Sequence, residues 1–175
     1  MRVTEIFHSI QGESTLAGVP TVFVRFTGCD LRCQYCDTEY AFYGGRQMSR
    51  EEILAEVAKY PARFVCLTGG EPMLQKELPQ LARELLDRGY QVSLETHGQR
   101  PGDEVKVVVC SRDDFQWALQ KLDELQVWGR VPVLFSPSYG QVSPQDLAAW
   151  VLESGRPARL QLQLHKVIWG EKRGV

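Results

Sequence analysis

Three of the chain's five cysteines lie close together and have the spacing of a metal-binding loop. Cys29, Cys33 and Cys36 follow the pattern CxxxCxxC and leave no local fourth ligand. Structural zinc sites are usually closed by four protein ligands. Three thiolates from one loop therefore favour an iron–sulfur cluster in which one iron keeps a position open to another molecule.

The other two cysteines are expected to be structural. Cys66 and Cys110 each stand alone in an apolar run, where a small buried core residue is a better interpretation than a metal ligand. An odd number of cysteines with three in one cluster fits reduced thiols better than a disulfide framework.

The composition predicts one soluble globular domain. The 175 residues are 43% hydrophobic and 24% charged, and the formal net charge is −2. This charge argues against broad attraction to nucleic acid or anionic lipid, so we expect the function to lie in a localised site. The N-terminus lacks the long apolar stretch of a signal peptide, and no run approaches the roughly 20 apolar residues of a membrane span. We therefore expect a cytoplasmic protein.

Strand, polar loop and helix recur along the chain, which predicts an α/β fold built on parallel strands. Ser49 and Glu52 form a capping-box pattern that marks one helix start. The predicted strands lie at residues 21–26, 63–68, 91–98, 104–110, 131–135 and 159–165, and the predicted helices at 50–59, 78–88, 113–126 and 143–153.

Polar residues follow several of these strands at their C-terminal ends, where ligands bind in parallel α/β folds. Gly69 and Gly70 form a pair that lets the backbone approach a ligand closely. Arg25 lies inside the strand that leads to the cysteines. It is either an outward-facing residue in a salt bridge or a charged donor aimed at a ligand anion, and strand context alone does not decide between them.

Several short stretches extend the cysteine pattern to a family resemblance. They are residues 9–13 (SIQGE), 23–25 (FVR), 36–38 (CDT), 69–72 (GGEP), 95–98 (ETHG), 163–166 (QLHK) and 169–175 (WGEKRGV). In this order they resemble the 7-carboxy-7-deazaguanine synthases, a family of radical S-adenosylmethionine (SAM) enzymes. The resemblance implies a lyase that converts 6-carboxy-5,6,7,8-tetrahydropterin to 7-carboxy-7-deazaguanine with loss of ammonia, on the route to queuosine and related 7-deazapurines. It also implies a single domain over residues 1–175, with a partial, modified TIM-like (β/α) barrel.

The resemblance implies cofactors and partners as well. Cys29, Cys33 and Cys36 would hold a 4Fe-4S cluster whose free iron binds SAM, and Thr38 would be a ligand of Mg²⁺. A flavodoxin-type reductant, a pterin substrate and a homodimer are expected from the same resemblance. The residues implied to contact SAM are Tyr35, Cys36, Asp37 and Gly70; those implied to contact the substrate are Gln11, Gly12, Glu13, Arg25, Thr68, His165 and the carboxylate of Val175.

One segment departs from the family pattern. Gly98 is followed almost at once by Asp103, whereas the family has a further strand there with SAM-contacting residues, so roughly thirty residues, about one β/α unit, are missing between them. Either the chain is a natural compact form or a segment is absent from the sequence. Ser136 and Ser138, at the end of a later strand, are the candidates for the SAM contacts that this segment would supply.

Two other functions share the cysteine pattern. A radical SAM activase of a glycyl-radical enzyme has the same cluster motif and a small size. A non-catalytic metal-binding or electron-transfer module would need only the three cysteines. The joint presence of the other stretches favours the synthase over both.

Overall fold

The computed structural model describes residues 1–98, 103–170, 172 and 174. Its contacts divide the chain into two compact units. The first contains residues 1–11, 18–98 and the described residues from 169 onward, and the second contains residues 12–17 and 103–168. The single domain expected from the sequence stays a prediction.

The first unit is built on a five-stranded sheet. Its strands are β1 (Arg2–Ile10), β2 (Pro20–Phe26), β3 (Arg46–Gln47), β4 (Phe64–Gly69) and β5 (Gln91–Leu94). The strand order is β3-β1-β2-β4-β5, in which β2, β4 and β5 run parallel and β1 runs antiparallel to both β2 and β3. Arg25 lies opposite Glu5 on one side and Thr68 on the other. The polar ends of the parallel strands therefore meet at one edge of this sheet.

Two helices cover the apolar face of that sheet. They are α1 (Arg50–Val57) and α2 (Leu78–Asp87), and short 3₁₀ turns lie at Glu39–Ala41 and Pro72–Leu74. The predicted capping box is confirmed, since Ser49 and Glu52 bond each other's backbone reciprocally. The core includes Val22, Val24 and Phe26 of β2, which alternate with residues of the opposite face. This alternation turns Phe23 and Arg25 away from the helices.

The second unit is a smaller parallel α/β arrangement. It contains β6 (Val105–Val109), α3 (Arg112–Glu124), β7 (Val133–Pro137), α4 (Pro144–Ser154), β8 (Ala158–Leu160) and α5 (Leu164–Trp169). The three strands pair in the order β6-β7-β8, all parallel. Phe115, Phe135 and Leu147 are among the residues that form its core.

The helices and strands predicted from the sequence are present, but two predicted strands extend too far. β5 ends at Leu94 instead of residue 98, and β8 ends at Leu160, so the strand predicted at residues 159–165 is wrong beyond Leu160, and His165 lies in α5. Long-range hydrogen bonds explain the early end of β8, because the Gln161 side chain bonds the backbone of Ser14 in both directions and Leu164 N donates to Gly12 O over 2.9 Å. These bonds turn the chain out of the extended conformation that its alternating sequence favours.

The two cysteines outside the cluster motif differ in burial. Cys66 is fully buried as predicted, and burial raises the pKa of its thiol well above the usual value. Cys110 is only partly buried, so the prediction of a buried core residue is wrong there. None of the described helices combines the length and the apolar sequence that crossing a membrane requires.

Candidate active site

The cysteine loop begins where β2 ends. Gly28 N donates to Ala41 O over 2.8 Å and closes the loop, and Cys36 N donates to Cys33 O over 3.1 Å inside it. Cys29, Cys33 and Cys36 are unpaired thiols and are each partly buried. The loop thus presents three thiols that take no part in disulfides.

The chemistry of these three donors fits an iron–sulfur cluster. Within the described part of the chain, no three His, Cys, Asp or Glu side chains converge closely enough to hold a single metal ion. A 4Fe-4S cluster does not need such convergence, because each thiolate binds a different iron. The pKa of the Cys36 thiol lies above its usual value, chiefly through burial and also through the charge of Asp37, so iron must displace a proton there.

A glycine pair at the end of β4 lies directly against the start of the cysteine loop. Glu71 N donates to Gly28 O over 2.7 Å, and a Cβ at Gly70 would overlap that same carbonyl oxygen and lie 3.0 Å from the Cβ of Cys29. Gly69 has a φ of +145° and packs against the backbone of Phe26. Only glycine allows this approach, which brings the end of β4 into direct contact with the first cysteine.

Arg25 joins a network of charged and polar groups beside the loop. Its Nε donates to Glu5 over 2.9 Å, and its Nη1 donates to Thr38 Oγ1 over 3.4 Å. The Thr38 hydroxyl in turn donates to Asp37 over 2.8 Å. Tyr40 also donates to Glu5, and burial with this contact raises the pKa of Tyr40 to about 12. Arg25 therefore forms a salt bridge and also contacts Thr38, while its role as a donor to a ligand anion stays a prediction.

Glu95, directly after β5, accepts hydrogen bonds from two of the residues predicted to contact the substrate. Thr68 donates its hydroxyl to one Glu95 oxygen over 2.9 Å, and the Gln11 amide donates to the other over 3.1 Å. Gln11 and Thr68 are both buried. The carboxylate thereby fixes the orientation of an amide and a hydroxyl at the same edge of the sheet.

Glu71 is a fully buried carboxylate beneath the cysteine loop. It accepts hydrogen bonds from the Thr96 hydroxyl and from the backbone N–H groups of Met73 and His97. Nε2 of His97 lies 3.3 Å from Glu71 and 2.8 Å from Asp30. Burial alone would lower the pKa of His97, but the bond to Asp30 and the two negative charges outweigh it and raise the pKa.

In the second unit, Glu13 is held between a cation and an amide. Lys106 donates to one carboxylate oxygen, and Gln163 donates to the other over 2.6 Å. Burial would raise the pKa of Glu13, but the charge and hydrogen bond of Lys106, with the Gln163 bond, lower it below the usual value. Glu13 is therefore an ionised acceptor at neutral pH.

The second unit also contains four other residues predicted to contact SAM or the substrate. Gly12 packs against His165, since a Cβ on Gly12 would overlap the imidazole ring. Ser138 is buried, and its N–H donates to Val109 O over 2.8 Å. Ser136 is fully buried, and its hydroxyl has no hydrogen-bond partner among the described residues. A buried hydroxyl in this state is a group that a ligand can satisfy.

The predicted site residues thus fall in two groups. Those in the first unit are Gln11, Arg25, Cys29, Cys33, Tyr35, Cys36, Asp37, Thr38, Thr68 and Gly70; those in the second are Gly12, Glu13, Ser136, Ser138 and His165. Val175 lies outside the described residues. Tyr35 and Asp37 are exposed on the loop.

Sequence reasoning assigned no role to several residues that hold this site together. They are Glu5, Glu71, Glu95, His97, Lys106 and Gln163. Glu71, Glu95, His97 and Gln163 belong to stretches that carried the resemblance, so a signal for them existed. Glu5 and Lys106 had no such signal, because their contacts depend on strand register and on a distant loop.

Comparisons with known proteins agree with the geometry. The family model of the radical SAM superfamily matches residues 23–125. That is more than half of the chain, so the protein belongs to this superfamily of enzymes, whose cofactors are a 4Fe-4S cluster and SAM.

Relatives that align over the whole of this chain identify its family within the superfamily. The 7-carboxy-7-deazaguanine synthase of Koribacter versatilis is 39% identical over 226 aligned positions that cover 100% of both chains, and that of Chlorobaculum tepidum is 37% identical over 214 positions that cover 100% of this chain and 97% of the relative. The chain belongs to the 7-carboxy-7-deazaguanine synthase family and is a radical SAM lyase. The activase and the non-catalytic module are thereby set aside.

A solved structure has the same fold. The crystal structure of QueE from Escherichia coli matches with a TM-score of 0.74 at 23% identity, over 93% of each chain. This likeness confirms the predicted α/β fold of the radical SAM type.

Proposed function

We propose that the protein converts 6-carboxy-5,6,7,8-tetrahydropterin to 7-carboxy-7-deazaguanine with loss of ammonia, in the supply of the queuosine precursor. The observation that carries this proposal is the end-to-end similarity to synthases of that name, at 39% identity with full coverage of both chains. The polar groups at the strand ends support it, because they suit a flat heterocycle that carries one carboxylate.

The cofactor site in this proposal is the cysteine loop with the glycine pair beside it. Cys29, Cys33 and Cys36 would hold the cluster by three irons. When bound, the reduced cluster and SAM supply the 5′-deoxyadenosyl radical that activates C6 of the pterin. An external reductant of the flavodoxin type would provide the electron. The residues proposed to contact SAM are Tyr35, Cys36, Asp37, Gly70, Ser136 and Ser138.

Among the SAM contacts, Gly70 and Ser136 have the best structural support. The backbone of Gly70 packs directly against Gly28 and Cys29, so it lies beside the first cysteine. Carbonyl oxygens there can accept from an amino group. The Ser136 hydroxyl is buried without a partner among the described residues, so a ligand group would satisfy it.

The substrate site in this proposal uses one cation and one anion for the two polar ends of the pterin. Arg25 would pair with the substrate carboxylate, since a guanidinium forms two parallel hydrogen bonds to that group. Glu13 is ionised, so it can accept from the amidine-like edge of the pterin. Gln11, Gly12, Thr68, His165 and the carboxylate of Val175 would complete the substrate contacts.

Thr38 is the proposed protein ligand of Mg²⁺. Its hydroxyl lies between Arg25 and Asp37, beside the place proposed for the substrate carboxylate. Mg²⁺ prefers oxygen ligands, keeps several waters and often takes an oxyanion of the substrate as well. One threonine together with that carboxylate is therefore a sufficient set. A homodimer is expected on the same grounds as the other family properties.

The direct test is anaerobic turnover by the reconstituted protein. With SAM, a reductant, Mg²⁺ and 6-carboxytetrahydropterin, we expect 7-carboxy-7-deazaguanine and ammonia to accumulate in equal amounts. A matched sample of Cys33→Ala should produce neither. Wild-type protein that holds a cluster and cleaves SAM but leaves the pterin unchanged would refute the proposed substrate.

A further inference from the structure

The start of the cysteine loop is tied by backbone hydrogen bonds to the rest of its unit. Two backbone bonds fix it, from Gly70 N to Phe26 O over 3.1 Å and from Glu71 N to Gly28 O over 2.7 Å. Arg32, farther along, donates only to carbonyl oxygens of the loop itself and to the nearby Tyr43 hydroxyl. The side chain that reaches the loop start from another strand end is His97.

His97 connects two carboxylates that belong to different segments. Its Nε2 lies 2.8 Å from Asp30, the residue after the first cysteine, and 3.3 Å from Glu71, the residue after the glycine pair. The His97 side chain is 18% exposed, and that of Glu71 is 0% exposed. Glu71 in turn is fixed by Thr96 and by two backbone N–H groups. The imidazole therefore connects a buried network to Asp30, whose side chain is 44% exposed.

We propose that His97 is a positioning residue for the cluster, which holds Asp30, and with it Cys29, at a fixed distance from the glycine pair. This inference rests on the proposed cluster site at Cys29, Cys33 and Cys36. A thiolate whose backbone is held before the cluster binds loses less conformational entropy on binding, so the cluster is released more slowly. Neither His97 nor Asp30 needs to touch the cluster for this effect.

Cluster retention tests the proposal without any requirement for turnover. Anaerobically reconstituted wild type, His97→Ala, Asp30→Ala and the double variant are exposed to a ferrous chelator, and the loss of the brown absorbance is followed. A hydrogen bond to a charged group is worth about a tenfold change, so each single variant should lose its cluster about tenfold faster than wild type. The double variant should be no faster than either single one, because both remove the same contact.

Two further variants separate positioning from general stability. His97→Gln places an amide N–H near the position of Nε2 and should restore retention to within about twofold of wild type. Leu85→Ala removes a fully buried side chain from the core of the same unit and lowers stability without touching the loop. It should retain its cluster like wild type at a temperature at which all variants are folded.

The results that overturn the inference are distinct from those that overturn the proposed function. Equal retention by wild type and His97→Ala, additive effects in the double variant, or equally fast loss from Leu85→Ala would each refute a positioning role for His97. Wild-type protein that takes up no iron–sulfur cluster would instead refute the proposed cluster site, and this inference with it.

Discussion

At the scale of single residues, Arg25 combines a structural salt bridge with a proposed contact to the substrate carboxylate. It is held by Glu5 over 2.9 Å and extends its fork toward Thr38, with a side chain only 16% exposed. A guanidinium in this setting is pre-oriented for a carboxylate, whereas a lysine ammonium would offer a single point of charge. The contacts to Glu5 and Thr38 show how an arginine in a strand can bind a ligand and retain its salt bridge at the same time.

Replacement of Arg25 by lysine should therefore damage substrate use and spare the cofactor. We expect kcat/KM for the pterin to fall by about tenfold to a hundredfold, because one of two charge-assisted hydrogen bonds is lost. Cluster content, measured as iron and sulfide per protein, should equal that of wild type. Arg63→Lys, which changes an exposed arginine at the start of β4, is the matched control. Equal kinetics of both variants would contradict the proposed carboxylate contact.

The raised pKa of His97 predicts that the stability of the protein depends on pH. Its folded-state pKa is raised above the unfolded value of about 6.5, so its favourable contribution is complete below that pH and is lost as pH rises through the folded pKa. The free energy of unfolding of the cluster-free protein, measured in urea, should exceed that of His97→Gln most at about pH 6, and the gap should shrink toward about pH 9.

His8→Gln provides the control for this pH dependence. His8 is an exposed residue of β1 whose ring lies tilted beside that of Tyr60. The same measurement on this variant gives the effect of replacing an exposed histidine of the same unit, against which the effect of His97→Gln is compared. A gap for His97→Gln that widens with rising pH would contradict the assignment of a favourable charge to His97.

At the scale of elements, the contact between the end of β4 and the cysteine loop is the critical one. Gly70→Ala would force a methyl group into Gly28 O and toward Cys29. We expect the loop to shift, with SAM affinity reduced by at least about tenfold, as measured by equilibrium binding to the reconstituted protein.

Gly89→Ala is the control for Gly70→Ala. Gly89 follows α2 with a φ of +84°, and a Cβ there would meet nothing within 4 Å. Alanine at this position strains the backbone and costs about 1 kcal/mol of stability, but should leave SAM binding intact. If both variants bind SAM like wild type, the close approach at Gly70 has no role in the cofactor site.

The elements also show where sequence reasoning succeeds and where it stops. Ser49, Glu52 and Pro144 mark helix starts by local chemistry, and the structure agrees with them. The alternation at residues 159–165 favours a strand, but the bonds of Gln161 to Ser14 and of Leu164 to Gly12 cannot be read from it. The pairing of Glu5 with Arg25 likewise depends on the register of β1 and β2, which the sequence does not specify.

At the scale of the whole molecule, the chain is a short member of its family. The Koribacter relative aligns over 226 positions, although this chain has 175 residues, so the relative contains segments without a counterpart here. Among the described residues, β5 and β6 belong to different sheets. We propose that the segment lacking between Gly98 and Asp103 accounts for part of the difference, and that other residues replace its contacts to SAM.

The variant Ser136→Ala tests whether Ser136 replaces one of those contacts to SAM. Two quantities are measured, the stability of the protein without SAM and its affinity for SAM. Ser136→Ala removes a buried hydroxyl that lacks a partner among the described residues, so the protein without SAM should become no less stable. SAM affinity should nevertheless fall by about tenfold. Ser9→Ala, which removes the other such hydroxyl, should leave SAM affinity unchanged. Unchanged SAM binding by Ser136→Ala would exclude Ser136 from the cofactor site.

The central claim, that this chain acts on C6 of a carboxypterin, is tested most directly by isotope transfer. Substrate deuterated at C6 is incubated anaerobically with reconstituted wild-type protein, SAM and a reductant, and SAM and the products are analysed by mass spectrometry. We predict that 7-carboxy-7-deazaguanine accumulates and that deuterium from C6 appears at the 5′ carbon of the deoxyadenosyl group, recovered in SAM and in any 5′-deoxyadenosine, because loss of ammonia is redox-neutral and the abstracted hydrogen has to be returned. Formation of 5′-deoxyadenosine without deuterium, with the pterin recovered intact, would contradict the account.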